Sequence, residues 1–169
     1  MALHKNFPKD KFQILDPAIR WFPAEEDLRK EGYEKLLPPF VPELRGKVAE
    51  WRKNNYEGVS ETSKALLNWW FKEPHTIYAK DGTSVAFQYY FAQREAVETI
   101  IWLYDVQGTR NKFDLIPFDK LGRVSANMFD EDWLRFVIKM ATGSGKTKVM
   151  SLLLAWSYFH KLYEENSEL

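Results

Sequence analysis

The sequence predicts an α/β fold: a mainly helical, Pro- and Trp-rich leading region, followed by the beginning of a strand–loop–helix layer. Three observations carry this. Trp133-Leu-Arg-Phe-Val-Ile-Lys-Met140 is a short, β-branched, mostly apolar run set directly before a Gly-rich turn, the context of a buried strand. From Lys146 to about Glu164 the pattern turns helical. Upstream, Leu44, Val48 and Trp51, then Ala65, Leu66, Trp69 and Trp70, recur at helical spacing.

Taken in order, the first forty residues carry Pro8, Pro17, Pro23, Pro38 and Pro39, a density that disfavours long helices and predicts an extended arm. Trp21, Phe22, Leu36, Leu37 and Phe40 interleave with it and give it something to pack with. Pro42 suits a first helical turn, so a helix runs from there to about Tyr56 and ends by Gly58. Ser60 has the chemistry of an N-cap, with Glu61 in the first turn of a second helix reaching about Phe71, which Pro74 stops. Such a Trp-rich face is more often core than binding platform. Asp81-Gly82 signals a turn and Ser84 to Tyr89 a short strand. From Ala92 to about Val106, Ala96, Ile100 and Leu103 share one helical face. Residues 108–132 carry Gly, Pro, Asn and Asp punctuation and read as an insertion or long loop.

Bulk properties narrow the function classes. Lys plus Arg (24) balance Asp plus Glu (24), so there is none of the basic excess usual in a free-standing nucleic-acid binder. With no Cys, disulfides, thiolate zinc sites and thiol nucleophiles are all excluded. Hydrophobic residues make up 45% and aromatics 16%, ample for a packed core. The start, Met1-Ala-Leu-His-Lys-Asn-Phe-Pro8, lacks the apolar run of a signal peptide, and Val149 to Phe159 falls short of a membrane span. The expected setting is the cytoplasm, with no membrane partner.

The chemistry is concentrated at Met140-Ala-Thr-Gly-Ser-Gly-Lys-Thr147. Binding a triphosphate requires several backbone N–H groups converging on anionic oxygens, which a tight turn at a helix N-terminus supplies. Gly143 and Gly145 permit the unusual dihedrals and close approach, with Thr142 and Ser144 completing the turn. Lys146 can reach the β- and γ-phosphates, and the Thr147 hydroxyl can ligate magnesium. The pattern G-x-x-x-x-G-K-[ST] is met except at its first position, where Met140 stands in place of Gly. ATP and Mg2+ are the cofactors this implies.

Other constellations are weaker. Asp130-Glu131-Asp132 superficially offers an acidic magnesium site, but no apolar run precedes it, and a solvated acidic turn is the simpler reading. His4, His75 and His160 are scattered, against a metal site. No Asp-x-Lys or Glu-x-Lys triplet of a nuclease centre occurs, and no Ser/His/Asp set stands out.

Met140–Thr147 resembles motif I of superfamily 2 helicases, in the form found in DEAD/DEAH-box proteins and in the motor subunits of type I and type III restriction enzymes. Tyr90-Phe-Ala-Gln-Arg-Glu-Ala-Val97 resembles the Q-type motif that precedes motif I and whose glutamine reads the adenine edge. The resemblance puts that role on Gln93, with Phe91 or Arg94 beside the base. Ser60-Glu-Thr-Ser63 and Leu67-Asn-Trp-Trp-Phe71 are similar to the Trp-rich leader of a bacterial DEAD/DEAH subfamily. Gln93 and motif I lie further apart than is usual, which fits an insertion at 108–132.

The resemblance implies a RecA-like P-loop NTPase domain beginning at 85–169, preceded by a helical accessory region at 1–84. It further implies DNA as substrate of the whole motor and other restriction or defence subunits as partners. A P-loop motor needs several parallel strands, a second acidic strand and a second RecA-like domain. One strand–loop–helix unit falls short of that, so the chain is expected to be an incomplete piece, inactive alone. Two other readings stay open: a different P-loop NTPase such as a small-molecule kinase, and an interaction module at 1–84. The helix after Lys146, deprived of its sheet, is expected to expose Leu152, Leu153 or Trp156.

Overall fold

Pro42 and Glu43 open helix α1 (Val41–Lys53) and Arg52 and Lys53 close it, each charge sitting where the helix dipole favours it. In this computed structural model, residues 10–17, 38–125, 127 and 136–169 are described. The Trp21, Phe22, Leu36 and Leu37 positions of the expected arm, like Asp130-Glu131-Asp132, lie outside the described residues. Leu44, Val48 and Trp51 are buried on one face of α1, as their spacing predicts. The chain then turns through Asn55 and Tyr56, both left-handed at φ 54° and 59°, before Gly58 at 78°. A left-handed tyrosine is uncommon. Here its ring is fully buried against Trp51 and its hydroxyl bonded in the core, which holds the conformation.

Ser60 caps α2 (Glu61–Phe71) by accepting from the Ser63 backbone N–H, and its hydroxyl donates to Asp105 Oδ2 at 2.7 Å. Ser60→Ala should cost about 1 kcal/mol of stability, the usual worth of a cap. An unchanged urea midpoint would show that the cap contributes nothing here. A β-hairpin follows: β1 (His75–Tyr78) pairs antiparallel with β2 (Ser84–Phe87), with Ile77 opposite Val85, around the Asp81-Gly82 turn. The turn and β2 match expectation. β1 does not appear in the sequence reading, because His-Thr-Ile-Tyr lacks clear apolar alternation; its partner strand stabilises it.

α3 (Phe91–Ile101) starts one residue before the expected Ala92 and passes into π geometry over Trp102–Val106. The wider turn keeps Trp102, Leu103 and Tyr104 buried together. The expected loop beyond Gly108 contains a 3-10 helix, Lys112–Phe118, capped by Asn111, whose side chain accepts from Phe113 N–H. α4 spans Lys146–Tyr163, as predicted. The expected strand is corrected: residues 136–140 form no strand, since no strand among the described residues lies alongside to complete its hydrogen bonds. Trp133, Leu134 and Arg135 lie outside the described residues. No described helix is long and apolar enough to cross a membrane.

The helices form one core. α1 packs on α3, α3 on α4, and α2 on α4, so that Leu44, Leu67, Val97, Ile101 and Trp156 share a single cluster. Residues on both sides of position 84 contribute to it. α2 therefore covers the α4 face that was expected to be exposed: Leu152 and Trp156 are buried, and Leu153 is half-buried. The exposed stripe is instead Met150, Leu154, Tyr158 and Leu162, the opposite side of the same helix.

Two polar clusters pin these helices together. Glu98 on α3 is fully buried. Arg52 Nε donates to its Oε2 at 2.7 Å, while Tyr56 and Arg94 Nε reach its Oε1 at 2.6 and 2.8 Å. Burial, with the Glu98 carboxylate beside it, pushes the Tyr56 hydroxyl well above its ordinary value, so it remains a donor. On the other side, Trp156 Nε1 donates to Ser63 Oγ at 2.7 Å, and His160 Nε2 lies 2.8 Å from Asp105 Oδ1. Thr62 donates its backbone N–H to Glu164, and Thr62, through its hydroxyl and this N–H, holds that carboxyl below the usual carboxylate range. The Trp156 and Glu164 bonds tie α2 to the C-terminal half of α4, and the Asp105–His160 pair ties the π turn to the same half.

Candidate functional site

The turn before α4 has the backbone its glycines foretell. Gly143 and Gly145 sit at φ 79° and 80°, left-handed positions that other residues rarely adopt, and Gly145 is the N-cap of α4. Ser144 N–H and hydroxyl both donate to the Ala141 carbonyl, at 3.3 and 2.6 Å, which closes the turn. No acidic residue lies in the first turn of α4, and Lys146 and Lys148 do, so charge and helix dipole both favour an anion there.

Thr142, Gly143, Lys146 and Thr147 are exposed; Ser144 and Gly145 are half-buried. The Lys146 ammonium curls back to the carbonyls of Met140 and Ala141, at 3.3 and 3.2 Å. Those bonds are long for a charged donor and leave one proton of three unassigned. Phosphate oxygens would be stronger partners for this ammonium than neutral carbonyls. Thr147 follows directly, its hydroxyl on the exposed rim of the first turn.

Gln93, far upstream in sequence, meets this loop. It is buried at 6% exposure in the first turn of α3. Its Oε1 accepts from the Tyr90 backbone N–H at 3.0 Å, and its Nε2 donates to the Ser144 carbonyl at 3.0 Å. Phe91 and Arg94 do not share this position. Phe91 is buried beneath the Arg52 guanidinium, and Arg94 belongs to the Glu98 cluster. Gln93 bonds to the loop through the Ser144 carbonyl.

Sequence reasoning missed a neighbour. Residues 10–17 dock on the start of α3: Lys11 accepts the Phe91 N–H through its carbonyl and donates through Nζ to the Tyr90 hydroxyl, and Phe12 packs against the Tyr90 ring at 5.6 Å. No local pattern links positions eighty apart, so nothing in the sequence alone would have found this contact. Beside the loop, Leu44, Ala92, Ala96, Ile100 and residues 136–140 line a mostly apolar cavity of about 720 Å³. His75 and His160 lie in unrelated bonds, to the Trp69 carbonyl and to Asp105, and no metal-holding cluster exists among the described residues.

Residues 85–167 match the family model described as type III restriction enzyme, res subunit. The match spans α3, residues 108–132, the loop and α4 together. No curated protein matches the chain, and no solved structure does.

Proposed function

We propose, from the match of residues 85–167 to the type III restriction enzyme res-subunit family model, that this chain supplies the ATP phosphate-binding loop of a superfamily 2 DNA helicase or translocase serving a restriction or defence system. One observation carries the reading most. A doubly left-handed glycine turn leads into the N-terminus of α4, with Lys146 held, among the described residues, by the Met140 and Ala141 carbonyls.

In this reading the backbone of Thr142, Gly143, Ser144 and Gly145 wraps the β-phosphate, and the α4 dipole adds favourable potential. Lys146 leaves its two carbonyls for the β- and γ-phosphates and offsets charge that develops on the transferred group. The Thr147 hydroxyl holds magnesium, which neutralises phosphate charge when bound. Gln93 reads the adenine edge: one amide proton and one lone pair remain beyond the bonds it already makes, the complement of adenine's adjacent acceptor and donor. DNA engages the motor through elements outside the loop, and the cytoplasm is where both substrates meet it.

The test is nucleotide titration. ATP with magnesium should bind this chain saturably and more tightly than GTP, and Gln93→Ala should erase most of that preference. Failure to bind ATP would overturn the reading. Equal losses for ATP and GTP would remove the base-reading role from Gln93 alone.

A further inference from the structure

We infer that Gln93 is a positioning residue for the phosphate loop itself, so that triphosphate binding depends on it even when no base is present. The inference rests on the phosphate-loop reading and adds a second duty to the same side chain.

The geometry is specific. The Gln93 amide bridges two backbone groups: it accepts from Tyr90 N–H at the start of α3 and donates to the Ser144 carbonyl in the middle of the loop. The same Nε2 fills the space over Gly145, where an added Cβ would overlap it. Gly145 thus has two reasons to be glycine: its left-handed backbone and the amide pressed against it. The Ser144 carbonyl is held from below while the Ser144 N–H closes the turn on Ala141. With its carbonyl tied to α3, the Ser144–Gly145 peptide has one orientation, and its N–H side is fixed with it, because a peptide unit is planar.

The platform beneath Gln93 is rigid. One residue on, Arg94 is bonded to the fully buried Glu98 and to the Tyr56 hydroxyl, at 2.8 Å each. Gln93 therefore transfers the fixed position of α3 to a turn that otherwise has only its own short hydrogen bonds. A loop pre-set in its anion-binding shape loses less entropy when the anion arrives, which raises affinity for any triphosphate.

The experiment uses a probe without a base. Inorganic tripolyphosphate with magnesium is titrated calorimetrically at pH 8 into the wild-type chain and into Gln93→Ala, Gln93→Glu and Lys146→Ala. Gln93→Glu keeps the acceptor for Tyr90 N–H, and glutamate is a favoured residue at this position of a capped helix, so the fold is retained. Ionised, it cannot donate to the Ser144 carbonyl. Both Gln93 variants should bind tripolyphosphate about three- to tenfold more weakly, the worth of one hydrogen bond. Backbone amides of residues 142–147 should exchange faster in Gln93→Glu, with those of α3 unchanged, a pattern that general destabilisation would not produce.

Wild-type tripolyphosphate affinity in Gln93→Glu, beside a loss in Lys146→Ala, would overturn the positioning role and leave the phosphate loop standing. Wild-type affinity in Lys146→Ala would instead overturn the phosphate-loop reading. Loop exchange would still decide the positioning: unaltered exchange in Gln93→Glu overturns it in either case.

Discussion

Lys146→Ala is expected to abolish ATP hydrolysis by the motor that carries this loop, by at least about a hundredfold, the scale of losing a preorganised charged donor. The fold should not notice. The Lys146 ammonium is exposed and makes only the two long bonds to Met140 and Ala141 carbonyls, so its removal takes away phosphate contacts and little packing. Lys146→Arg is not a substitute, because a planar guanidinium cannot sit at the compact position a point charge takes between two phosphates. Steady-state hydrolysis, measured beside the thermal midpoint, separates the two effects. A variant with near-wild-type turnover would refute the assignment, and one that also melts early would show that the lysine holds the loop together.

Glu98→Ala should be the most destabilising single change in the described core. The carboxylate is fully buried and is the shared acceptor of Arg52, Arg94 and Tyr56. Removing it leaves two guanidinium groups in a low-dielectric interior with no counter-charge, at a cost of about 3–5 kcal/mol. For a chain of this length that corresponds to a fall of roughly 10 °C in melting midpoint. Glu98→Gln retains shape and one acceptor, so it should fall between. The loss reflects stranded charges rather than the net worth of the cluster, since a well-packed apolar replacement of all partners can be neutral. Chemical denaturation gives the measurement, and a loss below about 1 kcal/mol would show that water or rearrangement rescues the arginines.

The same cluster explains why the N-terminal helices matter to the loop. Arg52 and Tyr56 lie on or just after α1, Glu98 and Arg94 on α3, and Gln93 one residue before Arg94. On the other flank, Ser63 and Thr62 of α2 hold Trp156 and Glu164 of α4. Both helices that bear the site, α3 and α4, are thus braced by the region before β1. This bears on the expectation of a separate accessory region at 1–84: its helices bury Trp51 and Trp70 in the core shared with the elements that carry the loop, while Trp69 stays exposed.

What the sequence determined by itself was local. The Pro42 start, the Ser60 cap, the apolar face of α1, the extents of α2 and α4 and the two glycines before Lys146 each express themselves within a few residues, through dihedral limits, capping bonds and one-sided apolar spacing, whereas Ala65 and Trp69 of the set read for α2 are exposed. Their boundaries in the fold agree to within a few residues. Tertiary structure decided whatever needed a distant partner. β1 exists because β2 pairs with it, whereas residues 136–140, more strand-like in composition, form no strand without a neighbour among the described residues. The helical pattern of α4 did not say which flank its neighbours would cover, and Leu152, Leu153 and Trp156, expected to be exposed, are buried or half-buried. The place of Gln93 beneath Ser144 joins positions 51 residues apart, and that of Lys11 beside Tyr90 joins positions 79 apart. Such contacts leave no periodic trace in a chain, because the free energy that selects them comes from packing and hydrogen bonds that form only once the helices have met.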